Sequence, residues 1–399
     1  MKNMRILRII GSVDPRGGGP VENATIMSRV LKANGDETTF VTLDPSDAPF
    51  LKDVEFSVIA AGPNPGKFGH STAFQSALKA QIAKHDVAIV HGLWNYATAR
   101  CANALQSANL PYVAFTHGML DPWFAQVNPL KNIAKQAYWS LFQGRVLAQA
   151  HRVLFTCEEE MRLAQGAFKG HQYNPKVVSY CAQSQAPLKT DSKDAMRRKI
   201  PMLGDRPYLL FLSRIHPKKA CDVLIEAYAR MAKIVPDIDL VIAGPDEGNW
   251  RRELETRARA LGIAERIHWP GMLTGAAKRQ AFAKAEAFVL PSHQENFGIV
   301  VAEALSAGCP VLISNKVNIW REIIASGAGM VCEDTVESTA QMLQSFCALS
   351  PAARAEMVDA SKPCYAKHFS VDAAAIDLRR ALCHAVEDRD IAKRKAHNA

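Results

Sequence analysis

Short apolar runs separated by longer amphipathic stretches recur along nearly the whole chain, and this alternation restricts the fold more than any other feature. In the first half the runs are Arg5 to Ile10, Thr39 to Leu43, Ser57 to Ala60, Val87 to His91, Tyr112 to Thr116, Val153 to Thr156 and Lys176 to Ser179. In the second half they are Tyr208 to Ser213, Asp239 to Ala243, Arg266 to Trp269, Ala287 to Leu290 and Pro310 to Ile313. Unbroken Val, Ile, Leu and Phe suit strands covered on both faces, and the helical stretches between them supply the crossovers that parallel neighbours need. The pattern predicts an α/β protein of two doubly wound domains, and 399 residues are also too many for one ordinary core. The first domain is expected over 1–188 and the second over 200–365. Polar residues between Gln183 and Pro207 place a linker near 185 to 200. From Phe369 onward, Ala373, Ile376, Leu382 and Ala385 recur at helical spacing, followed by a basic tail from Arg389 to Ala399 that is expected to fray.

Composition removes several classes. With 48% hydrophobic and 22% charged residues the chain reads as globular rather than disordered. No apolar run approaches the roughly 20 residues of a spanning helix, and the N-terminus lacks the apolar core of a signal peptide, so a cytoplasmic location is expected. Nine cysteines without C-x-x-C spacing suggest small buried thiols rather than a disulfide framework or a zinc site. The net charge of +9 lies mainly in the first half, and either solubility or an anionic ligand or membrane surface accounts for it. Its basic residues form no aromatic-interleaved stripe, which argues against nucleic acid.

The second half carries the strongest chemistry. A strand ending at Ser213 is followed by Arg214, Lys218 and Lys219, cations in the loop where α/β folds bind ligands. Arg offers a planar fork to phosphate oxygens and Lys a point charge, so the pair can neutralise a diphosphate without a metal, although a solvated basic loop fits equally well. Gly244 permits a tight turn after the next strand. The densest segment is Leu290-Pro291-Ser292-His293-Gln294-Glu295-Asn296-Phe297-Gly298, leading through Glu303 to Gly308-Cys309-Pro310-Val311. If Phe297 or Gly298 opens a helix, its amides form an anion site, with Glu303 about two turns along and Glu295 in the loop beside it. Two carboxylates near a phosphate make sense as acceptors for ribose and sugar hydroxyls. Helix capping by Glu295 and a surface position for Glu303 are the alternatives.

In the first half, Gly17, Gly18 and Gly19 follow the first strand, where backbone can approach a phosphate or an acceptor closely. Their spacing is not the dinucleotide fingerprint, which makes a dehydrogenase a poor reading. His117 sits at a strand end, and Asp121 is the nearest carboxylate in sequence that could orient an acceptor hydroxyl. Lys131, Lys135 and Arg145 accompany Tyr138, Trp139, Phe142 and Val146 in a segment that suits either an anionic membrane surface or packing against the sheet.

These residues resemble the large family of retaining glycosyltransferases known as group 1 or family 4, which have two Rossmann-like domains facing across a cleft, the GT-B fold. Arg214 with Lys219, and Glu295 seven residues before Glu303, match its two diagnostic motifs. Gly17-Gly18-Gly19 and Thr116-His117-Gly118 match its glycine loop and interdomain histidine, and the segment from Phe369 matches its returning helix, here 366–388. Ala220 stands where the family often has Gly, and Asn296 where it often has Pro.

The resemblance implies that Arg214 and Lys219 hold the diphosphate of a nucleotide-sugar donor, with Gly298 opening the helix beside it. It places Glu303 on ribose, and Glu295 with His117 at the transferred sugar. It implies no metal and no cofactor, closure about the linker, and a glycan or lipid-linked sugar acceptor in cell-surface polysaccharide synthesis, with peripheral attachment to the inner face of the membrane. A nucleotide-sugar epimerase or hydrolase of the same fold, and a non-catalytic sugar-nucleotide-binding protein, are the competing readings.

Overall fold

A computed structural model describes residues 3–397 other than 64, 65, 67, 69, 128, 186–194, 236 and 247. The chain divides into two compact units, Met1–Tyr180 with Val371–Ala399, and Cys181–Ser370. Most of the expected linker, residues 186–194, lies outside the described residues, and a short helix Ala195–Lys199 follows it.

The first unit is built on seven strands: β1 Arg5–Ile10, β2 Glu37–Pro45, β3 Ser57–Gly62, β4 Val87–His91, β5 Tyr112–Phe115, β6 Arg152–Phe155 and β7 Pro175–Val177. Their order is β3-β2-β1-β4-β5-β6-β7, with every pairing parallel. The second unit has six: β8 Tyr208–Leu212, β9 Asp239–Ala243, β10 Ile267–Gly271, β11 Ala287–Leu290, β12 Val311–Ser314 and β13 Gly329–Cys332. Their order is β10-β9-β8-β11-β12-β13, again all parallel. All five residues of β4 and of β9 are buried, as continuous apolar runs require when helices cover both faces. The sequence pattern missed β13, whose four half-buried residues begin with glycine and lie at the sheet edge.

Each sheet starts in its middle, runs to one edge, and then restarts on the other side. The order therefore reverses between β1 and β4, and between β8 and β11. Loops leaving the carboxyl ends of those two strands part to opposite faces, opening a crevice where ligands bind in such sheets.

The C-terminal segment does not fray where expected: a single helix runs Val371–His397. It is tied to the first unit by Arg379 on Asp36 (Nε to Oδ2, 2.9 Å), Asp377 accepting from the Ser179 hydroxyl at 2.7 Å, and Asp388 on His151 at 2.8 Å. Arg389, the first residue of the tail expected to fray, also donates to the Asp86 carbonyl at 2.9 Å. Asp36 is 1% exposed and takes the Met4 amide as well. Arg379→Met should lower unfolding stability by about 3 kcal/mol, because it leaves a buried carboxylate without its cation. Urea unfolding reads this, and an unchanged midpoint would show that the helix docks without the pair.

Candidate functional site

In the second unit the loop after β8 is drawn tight by its neighbours. Ser213 N–H donates to Ala243 O at 3.0 Å and Ile215 N–H to Pro245 O at 2.8 Å. This approach requires glycine at Gly244: with φ at +145°, a Cβ there would lie 1.8 Å from the Ser213 carbonyl oxygen. Arg214 is exposed in this loop, and Lys219 closes the short 3₁₀ turn Pro217–Lys219. Ala220 follows in the left-handed region at φ 54°, which explains why glycine suits this position.

The loop after β11 is fastened to the same turn. The Lys218 carbonyl accepts from Ser292 Oγ at 3.1 Å and from His293 N–H at 3.0 Å. Glu295 is gripped on both sides, its N–H donating to Lys316 O at 2.9 Å and its carbonyl accepting from Asn318 N–H at 3.0 Å. Its carboxylate pairs with the Lys219 ammonium, whose side chain is 8% exposed. Burial first, and then the Lys218 and Arg214 charges, pull Lys219 down to about 7. Gly298, at φ 74°, caps the helix Ile299–Ala307 with no side-chain acceptor.

Glu303 is the fifth residue of that helix, nearer its start than the two turns expected, and it is 8% exposed rather than a surface residue. Its Oε1 accepts from Lys278 Nζ at 2.7 Å and Gln185 Nε2 at 3.1 Å. The structure thus brings Lys219 and Glu295 into contact and gives Glu303 a different cation. Lys278 left no trace in the sequence, being one basic residue among several on the helix Gly275–Lys284. His293 also gains an unforeseen partner, Asp334, at 2.7 Å.

In the first unit a cavity of about 660 Å³ opens at the carboxyl ends of β1, β4 and β5, lined by Gly11, Gly17, His91, Asn95, His117 and Met119 among others. Of the three loop glycines Gly17 reaches it. Gly18 takes φ 72° before the helix Gly19–Ala33, and the Gly19 carbonyl accepts from Tyr180 Oη at 3.1 Å. Arg16 is held by Asp14 at 2.6 Å.

His117 has φ 50°, an unfavourable backbone for a residue with a Cβ. Glu160 fixes it. One carboxylate oxygen accepts from Thr116 Oγ1 at 2.7 Å and Gly118 N–H at 2.6 Å, and the other from Thr156 N–H and Oγ1, both at 2.7 Å. Burial and the Arg8 charge push His117 down to about 3, so its ring is neutral in the working range. Asp121 spends one oxygen on the Trp123 amide at 2.8 Å, a turn-capping role.

The basic, aromatic segment 131–146 is a helix Pro129–Tyr138, a π-helical turn Trp139–Gln143 and a helix Gly144–Gln149. Trp139 and Val146 pack into the core, while Leu130, Ile133 and Leu141, none of them singled out in sequence, are 81%, 69% and 62% exposed. A second cavity of about 550 Å³, lined by Phe68, Trp94, Phe124, Lys135 and Tyr138, shares Met119 with the first. Among the described residues no cluster of three or more His, Cys, Asp or Glu could hold a metal, and no helix is long and apolar enough to cross a membrane.

Glu160→Gln should cost about 2 kcal/mol, because an amide NH₂ cannot accept the two hydrogen bonds it would face on one side. Thermal and urea unfolding check this, and wild-type stability would contradict the clamp.

Comparison with known proteins agrees with the resemblance seen in sequence. The family model for glycosyl transferases group 1 matches residues 192–362, and that for a glycosyl transferase 4-like domain matches 18–181. A D-inositol 3-phosphate glycosyltransferase of Actinosynnema mirum is 30% identical over 177 residues, 43% of this chain and 42% of that protein. A phosphatidyl-myo-inositol mannosyltransferase of Mycobacterium leprae is 26% identical over 326 residues, 78% of each chain. The chain spans less than half the length of the D-inositol 3-phosphate glycosyltransferases of Actinosynnema mirum and Geodermatophilus obscurus, 42% and 46%. Among solved structures, Anabaena HepE in complex with UDP and glucose has a TM-score of 0.72 at 17% identity, covering 96% of this chain and 100% of that one. With two parallel doubly wound units and these matches across both, the chain belongs to the group 1, family 4 glycosyltransferases of the GT-B fold.

Proposed function

We propose that the protein is a retaining, metal-independent glycosyltransferase that moves a sugar from a nucleotide-sugar to a hydroxyl of a glycan or lipid-linked acceptor in cell-surface polysaccharide synthesis. The observation that carries this is the Lys219–Glu295 pair beside Arg214 and the open helix start at Gly298. Cations and free amides suit the diphosphate, while Glu295 and Glu303 suit sugar and ribose hydroxyls. His117 is assigned to the transferred sugar, and Gly17 to Gly19 to the acceptor side. The matched Mycobacterium leprae protein is named for phosphatidyl-myo-inositol and the matched structure holds UDP and glucose, which supports a nucleotide-sugar donor and a lipid-linked acceptor. The aromatic cavity next to the His117 cavity favours an acceptor with an apolar part, and the exposed Leu130, Ile133 and Leu141 favour work at the inner membrane face.

Nucleotide release from a sugar-nucleotide should depend on added acceptor, be greater with a lipid-linked acceptor than with the free glycan, and persist in EDTA. Release without acceptor would favour the hydrolase reading. Loss on chelation would overturn metal independence, and inversion at the anomeric carbon would overturn retention.

An anion favours the protonated form of Lys219, which in the free protein sits at about 7 rather than its ordinary 10.5. Binding therefore raises its affinity for the proton, so nucleoside diphosphate affinity should fall as pH rises above 7, with proton uptake seen by calorimetry in buffers of different ionisation enthalpy. Lys219→Met should weaken binding about tenfold to a hundredfold and abolish that uptake. PH-independent binding would place the diphosphate elsewhere.

A further inference from the structure

Arg8 lies in the middle of β1, is 0% exposed, and has no carboxylate partner among the described residues. Its Nη1 meets His91 Nε2 at 2.9 Å, and its Nε and Nη2 have no hydrogen-bond partner. His91 Nδ1 in turn meets His117 Nε2 at 3.2 Å. The two imidazoles are nearly coplanar, 13° apart with centroids at 5.4 Å, the arrangement of an in-plane edge-to-edge hydrogen bond.

The proton positions along this chain follow without further choice. A guanidinium only donates, so His91 Nε2 must accept. Were His91 Nδ1 also an acceptor, the ring would carry no proton and be an anion, which a buried site beside an apolar sheet does not sustain. His91 Nδ1 therefore carries the hydrogen and donates to His117 Nε2. Burial keeps His117 neutral, so its one proton sits on Nδ1, for which no partner occurs among the described residues and which belongs to a ring lining the cavity.

We infer that Arg8 is a positioning residue which, through His91, locks His117 in the Nδ1–H tautomer, so that His117 serves as a permanent hydrogen-bond donor to a substrate oxygen and never as a general base. The basic edge of its imidazole is already engaged, and no proton transfer runs through it. This explains why an arginine occupies a fully buried strand position where an aliphatic side chain would pack at lower desolvation cost. The role toward substrate rests on the reading that the His117 cavity admits the transferred sugar, whereas the tautomer itself does not.

The experiment separates the two. Long-range ¹H–¹⁵N spectra of the wild-type protein between pH 5 and 8 should show His117 protonated at Nδ1, unprotonated at Nε2, and unchanged across the range. An Nε2–H tautomer, or a ring that titrates near 6.5, would overturn the proposal. Arg8→Met, which removes the donor to His91 Nε2, should make the His91 and His117 signals split between tautomers and reduce kcat by about tenfold or more, with nucleotide affinity unchanged. Arg8→Lys, which still donates, should restore one tautomer and most of kcat. Mixed tautomers with wild-type kcat would overturn the donor role while leaving the glycosyltransferase reading intact. The wild-type spectra decide the tautomer even if a variant fails to fold.

Discussion

Parallel strands covered on both faces leave chemistry no room except at their ends, and the two ends of these sheets are used differently. At the amino ends, carboxylates fasten structure. Asp36 precedes β2 and holds Arg379, Asp86 precedes β4 and takes both the Arg5 amide and its guanidinium, and Asp239 opens β9 against His268 and Arg206. At the carboxyl ends, beside each reversal in strand order, stand Arg214, Lys219 and Glu295 in one unit and His91 and His117 in the other. The division has a physical origin: the crossover helices return behind the amino ends, while loops at the switch points diverge and open a crevice beside these groups.

Two buried charges in the first unit show opposite solutions. Glu160 is saturated, with four donors spread over two oxygens, and it thereby holds a left-handed residue that would otherwise relax. Arg8 is under-satisfied, with one nitrogen paired to an imidazole and two without partners, and its guanidinium is drawn down to about 9 by burial. A fold retains a saturated carboxylate for rigidity alone. An arginine left short of partners implies that its direction toward His91 matters more than the cost of burying it.

How much of this was legible in sequence follows from which interactions are local. Strands buried on both faces announce themselves as apolar runs, and this places Arg214, Lys219, His117 and Gly298 in loops at strand ends. Pairing is not local. Arg8 reads as a stray polar residue in Arg5 to Ile10, because its partner lies 83 positions on, and Glu160 reads as one of three consecutive acids at a helix start. Lys278 is hidden for the same reason, and the tail from Arg389 looked frayed because Arg389 meets its partner 303 residues away. The π-helical turn Trp139–Gln143 shifts the helical phase that periodicity assumes, so one amphipathic helix over the whole segment does not describe which residues face out.

The contact between Lys219 and Glu295 also bears on selectivity. Each is the other's counter-ion, so a ligand that brings only negative charge gains Lys219 at the expense of leaving a half-buried carboxylate without its cation. A ligand with an anion at one end and hydroxyl donors at the other satisfies both groups at once. In the proposed donor site the pair would thus work as a two-key lock. In the proposed donor role it would favour molecules in which charge and sugar are joined at the right separation over inorganic phosphate, which brings charge alone.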